Sequence, residues 1–353
     1  MFSQDRPYSF HIELTDKCNA GCPMCSRTKE LDRCRPNLMK VQNIELTLAD
    51  FQAHFTDDFC RRVVDVDLCG GLGDPLAALQ CLEICDHLTA RGVKVSISTN
   101  ASLRSTKWWT KLGDCFNRTG SHVEFHIDGL ADSNPLYRIN TSFDKIMANA
   151  AAYIATGARA EWHYILFRHN EHQVLEAQAL ARDMGFSKFV LIDTIRFGAR
   201  ERFDYQMPDG ERRSLEPSVH DGAYFKARFA DLPEAPPEAS PRSLGPEIPV
   251  ETTDGEGIVC KSAVQNRPYI NCEGYVSACC WTAGSNEELQ TLDLAGLRRS
   301  EFNIRHRPLA EILAAEPFVS HFAQAWLDGS NPICQRKCGQ MIRNKRHAIR
   351  GAG

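Results

Sequence analysis

Fifteen cysteines in 353 residues carry most of the chemistry in this sequence, and they are unevenly placed. The run Cys18-Asn-Ala-Gly-Cys22-Pro-Met-Cys25 puts three thiols within eight residues, while Cys260, Cys272, Cys279, Cys280, Cys334 and Cys338 crowd the last hundred. Three soft donors on one short loop can hold three irons of a four-iron cluster and leave the fourth iron open. Structural zinc takes four ligands, so here it would need His11, Cys34 or a more distant residue as well. At the other end, Cys260 is followed after thirteen residues by Gly274 and, after four more, by Cys279; the pair Cys334-x3-Cys338 closes the series. Four thiolates from two distant segments make a fully protein-ligated site, and by spacing alone four-cysteine zinc competes there. Cys272 and Cys280 could replace a ligand, donate a hydrogen atom or simply pack. The other six, Cys34, Cys60, Cys69, Cys81, Cys85 and Cys115, lie singly, mostly in apolar or helical patterns where a thiol acts as a small hydrophobe.

The elements that must position these groups are legible between residues 8 and 193. Short β-branched or apolar runs alternate there with stretches of helical period, the pattern of repeated βα units and a parallel sheet. Six strands are expected at 8–14, 63–69, 93–99, 122–128, 160–167 and 188–193. Thr47 with Asp50 suits a capping box, and Asn170 precedes a helical pattern that stops at Gly185. In such sheets ligands gather at the carboxyl ends of the strands. The unusual residues fall there: the cysteine loop after strand one, Gly70-Gly71-Leu72-Gly73-Asp74-Pro75 after strand two, Thr99-Asn100 after strand three and Asp128-Gly129 after strand four. Residues 231–257 hold six prolines and almost no apolar periodicity, so they read as an extended linker. The expected organisation is a domain over 1–200, a linker or insertion over 201–257 and a smaller metal-binding domain over 258–353.

The ordered set of motifs resembles the radical S-adenosylmethionine enzymes, whose signature is C-x3-C-x2-C in the loop after the first strand of a partial (βα)6 barrel. The resemblance implies that Cys18, Cys22 and Cys25 hold a [4Fe-4S] cluster whose open iron chelates the amino and carboxylate groups of S-adenosylmethionine. Gly71, Gly73 and Asp74 then belong to the glycine-rich segment that binds the methionine amino group, with Asp74 standing where glutamate is common. Ser98, Asn100 and Asp128 resemble strand-end residues near the ribose, with His126 where a serine is frequent. Arg138 is similar to the arginine that pairs with the methionine carboxylate, and Met24 stands where an aromatic residue packs beside the adenine. The C-terminal cysteines resemble the SPASM/twitch extensions of the same superfamily. The additional C-x2-C stretch of a full SPASM pattern is missing, so a single auxiliary [4Fe-4S] cluster on Cys260, Cys279, Cys334 and Cys338 is the implied arrangement.

The implied reaction is reductive cleavage of S-adenosylmethionine to a 5′-deoxyadenosyl radical and abstraction of a substrate hydrogen atom. The auxiliary cluster then oxidises the substrate radical, and a ferredoxin- or flavodoxin-type protein supplies the electron. The first motif begins at residue 18, which favours a small polar metabolite over a ribosomal peptide presented by an upstream domain. A peptide cross-linking or epimerising enzyme is the alternative within the family. A non-catalytic metal-binding or electron-transfer protein is the alternative outside it.

Other motifs carry less. His163, His169 and His172 do not form a metal triad by spacing, and Trp108, Trp109 and Tyr153 at helical spacing read as core. Glu124 and Glu161 could serve as acid or base, but strand alternation leaves their side of the sheet open, and no catalytic residue is assigned. With 43% hydrophobic and 24% charged residues the chain can bury a sizeable core, and a net charge of −4 argues against whole-surface attraction to nucleic acid or anionic membrane. The basic final segment from Cys334 reads as a solvated helix. With no run of membrane-spanning length and no signal-peptide core, the expected location is the cytoplasm.

Overall fold

The computed structural model describes residues 2–30, 43–194, 196–198, 200–207, 209–229, 260–283 and 300–316, together with 318, 324, 331–334 and 338. Cys34, the whole proline-rich stretch 231–257 and the basic tail beyond Cys338 lie outside these residues. Ten strands are described: β1 (Tyr8–Ile12), β2 (Val63–Leu68), β3 (Lys94–Thr99), β4 (His122–His126), β5 (Arg159–Ile165), β6 (Lys188–Ile192), β7 (Phe203–Gln206), β8 (Arg212–Leu215), β9 (Tyr269–Ile270) and β10 (Val276–Ser277). The principal helices are α1 (Ser26–Glu30), α2 (Leu48–His54), α3 (Asp57–Cys60), α4 (Cys81–Thr89), α5 (Thr106–Phe116), α6 (Asn134–Tyr137), α7 (Phe143–Ile154) and α8 (Val174–Met184). All six expected strands are present, within two residues of their expected ends. No described helix is long and apolar enough to cross a membrane.

The chain groups into two units that do not follow chain order. One comprises Met1–Glu13, Leu46–Val66 and Arg242–Gly353. Its strands run β10-β9-β1-β2, with His11 opposite Tyr269 in a parallel pair and Val276 opposite Ile270 in an antiparallel one. Its core is aromatic: Phe10 meets Phe55 edge-on at 5.3 Å and Phe51 stacks on Phe55 at 5.2 Å. The expected capping box is present, with the Thr47 hydroxyl accepting from Asp50 N–H and the Asp50 carboxylate accepting from Thr47 N–H. The buried Asn266 amide donates to the carbonyls of Ser3, Arg6 and Pro7, which ties the N-terminal segment to this unit.

The other unit comprises Leu14–Glu45 and Asp67–Pro241. Strands β3-β4-β5-β6 lie side by side and all parallel, with Phe125 opposite Trp162 and His126 opposite His163. In β4 the apolar Val123 and Phe125 point one way, and Phe125 stacks on Trp109 of α5 at 5.2 Å and lies 5.9 Å from Tyr153 of α7. Trp109 and Tyr153 are thus core, and truncating either aromatic ring would cost about 3–5 kcal/mol. Cys81, Cys85 and Cys115 are buried against the same layer, as expected of packing thiols. Asn170 stands immediately before the helical stretch, as expected, but its side chain makes no capping bond. Its amide donates to the Asp128 and Ile165 carbonyls, and a turn of 3₁₀ helix at Glu171–Gln173 leads from it into α8. Gly185, at φ +87°, ends α8 in the left-handed conformation. Strands β7 and β8, from the stretch read as linker, pair as an antiparallel hairpin.

Candidate active site

The loop between Leu14 and α1 holds its three cysteines on an apolar bed. Ala20, Cys22 and Met24 pack with Tyr137, Ile139, Ile165, Phe167, Phe197, Tyr205 and Leu215, with Cys18 and Cys25 partly buried against them. Its backbone is folded tightly: Cys25 N–H donates to the Cys22 carbonyl at 3.1 Å, the Thr28 hydroxyl to the same carbonyl at 2.6 Å, and Gly21 N–H to Ile139. Nitrogen donors reach the sulfurs. Ala20 N–H lies 3.4 Å and the Asn100 amide 3.8 Å from Cys18 Sγ, and the Arg138 guanidinium lies 3.7 Å from Cys22 Sγ. Burial pushes the Cys18 thiol well up and the Cys22 thiol up to about 11, the latter against the pull of Arg138. A metal loading here must displace those protons.

The strand-end residues converge on the same loop. The buried Asp74 carboxylate accepts from the Thr99 hydroxyl at 2.8 Å, Asn100 N–H at 2.9 Å, the Asn100 amide at 2.7 Å and Leu76 N–H at 3.0 Å. Burial nevertheless raises its pKa. Asp74 therefore fastens the end of β3 to the glycine segment after β2. A Cβ on Gly73 would sit 1.7 Å from the Thr15 carbonyl oxygen, so only glycine lets these two loops touch. Gly71 is exposed on the same segment. After β4, Asp128 is fully buried; its Oδ1 accepts from Ile165 N–H and its Oδ2 from Arg138 Nε at 2.6 Å. Burial alone would lower the Arg138 pKa, but the Asp128 carboxylate raises it, so the guanidinium stays charged between a carboxylate and Cys22.

A second polar group, unassigned from the sequence, covers the face of the sheet opposite α5 and α7. Glu124 receives the Ser98 hydroxyl, and its Oε2 lies 3.8 Å from His126 Nε2 and 3.9 Å from His163 Nδ1. Burial would raise the Glu124 pKa, but His122, His126, Ser98 and the charge of His163 hold it well below the usual range. The signal was in β4 itself: with Val123 and Phe125 committed to the helices, His122, Glu124 and His126 must face the other way. Glu161 shares that face, bound by Arg159 at 2.9 Å and Lys188 at 3.1 Å. His169 instead stacks on Phe167 at 5.3 Å, and burial lowers its pKa to about 4; His172 is exposed. Thus His163, His169 and His172 do not assemble with one another, as expected.

The C-terminal cysteines lie in the other unit. Cys260 is buried and Cys279 and Cys338 are near enough to raise its pKa, which burial chiefly pushes up to about 12. Cys334 is buried after the Asn331 side chain, which caps its turn through Ile333 N–H and Cys334 N–H. Cys280 is adjacent to Cys279, and both Cys280 and Cys272 are close enough to Tyr269 to raise its pKa further, beyond the larger effects of burial and of Glu13.

Solved structures share the fold that carries these residues. Streptococcus suis SuiB bound to S-adenosylmethionine superposes with a TM-score of 0.59 at 14% identity, over 90% of this chain and 68% of that one. The chain has the fold of the radical S-adenosylmethionine enzymes. SuiB bound to its precursor peptide SuiA matches with a TM-score of 0.57 at 13% identity, over 90% and 67% of the two chains. The structure of anSMEcpe with bound AdoMet matches with a TM-score of 0.52 at 11% identity, over 91% and 80%. No protein-family model matches the sequence, and no curated protein does. The α/β class expected from the sequence, a partial (βα)6 barrel of the radical S-adenosylmethionine type, is therefore the observed one.

Proposed function

We propose that this protein is a radical S-adenosylmethionine enzyme in which Cys18, Cys22 and Cys25 hold a [4Fe-4S] cluster. The observation that carries the reading is the cysteine loop itself: three sulfurs on an apolar bed, two of them approached by N–H donors from Ala20, Asn100 and Arg138. Such donors suit thiolates carrying charge, and three ligands leave a metal position free. Its partner in the reading is Arg138, whose fork suits a carboxylate such as that of the methionine moiety, while Gly71 and Gly73 offer backbone close to an amino group. Ser98, Asn100, Asp74 and Asp128 complete the pocket, the last two as anchors of its walls. When bound, the cluster and S-adenosylmethionine supply a 5′-deoxyadenosyl radical that takes a hydrogen atom from substrate, and a second [4Fe-4S] cluster on Cys260, Cys279, Cys334 and Cys338 supplies an electron acceptor. The apolar bed of Met24, Tyr137, Phe167 and Phe197 keeps water from that chemistry.

A small polar metabolite is the substrate in this reading, because the face of β3–β5 below the pocket presents Ser98, Glu124, His126 and His163. The match to SuiB with its precursor peptide bound supports a second reading, in which a peptide side chain enters the same space. Anaerobic reconstitution tests the proposal. About eight irons per chain and 5′-deoxyadenosine after dithionite reduction are expected. Zinc, or iron without cleavage of S-adenosylmethionine, would overturn it. Turnover with polar metabolites against turnover with peptides separates the two substrates.

A further inference from the structure

We propose that Glu124, His126 and His163 form a binding site for one divalent first-row cation, distinct from both cysteine groups. One donor atom from each of the three lies within 4.8 Å of the other two. The sheet makes this inevitable once the strands pair. Glu124 and His126 are two apart on β4 and share a face, and His163 stands directly opposite His126 on β5, with their rings 5.1 Å apart. Two imidazoles and one carboxylate on one side of an ion form a facial set that leaves its remaining positions open.

The surroundings are those of a metal ligand set. His163 turns its Nε2 to the Glu161 carboxylate at 3.3 Å, which leaves Nδ1 on the Glu124 side. A carboxylate behind a histidine is the usual way that a ligating ring is oriented and its tautomer set. Glu161 is itself fixed by Arg159 and Lys188. The Ser98 hydroxyl donates to Glu124 Oε2, steadying the carboxylate. A rival grouping of His122, Glu124 and Glu161 also brings three donors within reach. It is the poorer choice, because Arg159 and Lys188 already neutralise Glu161 and would repel an added cation.

The open positions would take an oxygen donor of the substrate, a hydroxyl or a carboxylate, beneath the strand-end pocket; His126 is two residues before Asp128 and feels the Arg138 charge. That second half rests on the proposed function, whereas the cation site does not. The test titrates the anaerobically reconstituted full chain, its cysteines occupied by iron, with Mn2+, following the free aqua ion by electron paramagnetic resonance. Mn2+ discriminates against thiolates and so reports the nitrogen and oxygen donors. One saturable Mn2+ per chain is expected. Affinity should fall at least tenfold in Glu124→Gln, His126→Gln and His163→Gln, and about 10–100-fold in Glu161→Gln through loss of the ring's support. His172→Ala, outside the set, should bind Mn2+ as the wild type does. Iron content and circular dichroism show that each variant is folded. A wild-type chain without saturable Mn2+, or folded Glu124, His126 and His163 variants that bind it unchanged, would overturn the site. Loss of S-adenosylmethionine cleavage in a wild-type chain that binds Mn2+ would instead overturn the function and leave the cation site standing.

Discussion

The two cysteine-rich regions differ in how they are held. Cys18, Cys22 and Cys25 share one loop whose backbone hydrogen bonds, apolar bed and N–H···S contacts come from residues packed immediately around it. Cys260, Cys279 and Cys338 come together from segments far apart in the chain, and the side-chain devices described there, Thr282 at Cys279 and Asn331 before Cys334, each serve a single cysteine. A local triad costs little chain entropy to assemble. A dispersed set relies on closing long loops, which the bound metal itself helps to do. The first region should therefore keep its shape without iron, and the second should depend on it.

Substitution separates them most sharply. Cys22→Ala is expected to lower iron from about eight to about four per chain and to abolish 5′-deoxyadenosine formation, measured by iron assay and product chromatography. Cys279→Ala should lose the same amount of iron yet still cleave S-adenosylmethionine. If both variants lost cleavage equally, the regions would not be independent. Removing iron with a chelator should lower the melting temperature through the second region, and Cys22→Ala should not reproduce that loss.

Asp128→Asn comes next. It leaves the Arg138 guanidinium buried without an ionised partner, and about 3–5 kcal/mol of stability should be lost in denaturant titration. Gly73→Ala drives a methyl into the Thr15 carbonyl and should cost about 1–3 kcal/mol, with reduced iron at the first site only.

The smallest effect is expected in the other unit. Burial pushes the Asp50 pKa up, but Thr47 N–H and the Arg305 guanidinium together leave it lowered. A carboxyl whose folded value is depressed contributes stability above its unfolded pKa and loses it as pH falls through the folded one. Arg305→Ala should thus destabilise by less than about 1 kcal/mol at pH 7, since the pair is partly exposed, and the difference should shrink in thermal melts as pH falls below the ordinary carboxylate range and Asp50 takes up its proton.

The sequence by itself determined the six strands, the capping box at Thr47 and the cysteine loop. These depend on short-range rules: period-two alternation, one cap, and three thiols within eight residues. It also identified Asp74, Asn100 and Asp128 as strand-end residues and, by resemblance, singled out Arg138, but not that Asp74 would fasten two loops or that Asp128 would hold Arg138. Only the tertiary structure decided those pairings, because residues as far apart as Asp74 and Asn100 meet when parallel strands align. The same holds for Glu124, His126 and His163. Alternation in β4 placed two of them on one face, yet the third stands opposite only because β4 and β5 pair in the register that sets His126 against His163. A register is a property of two strands packed together, and neither strand's sequence contains it.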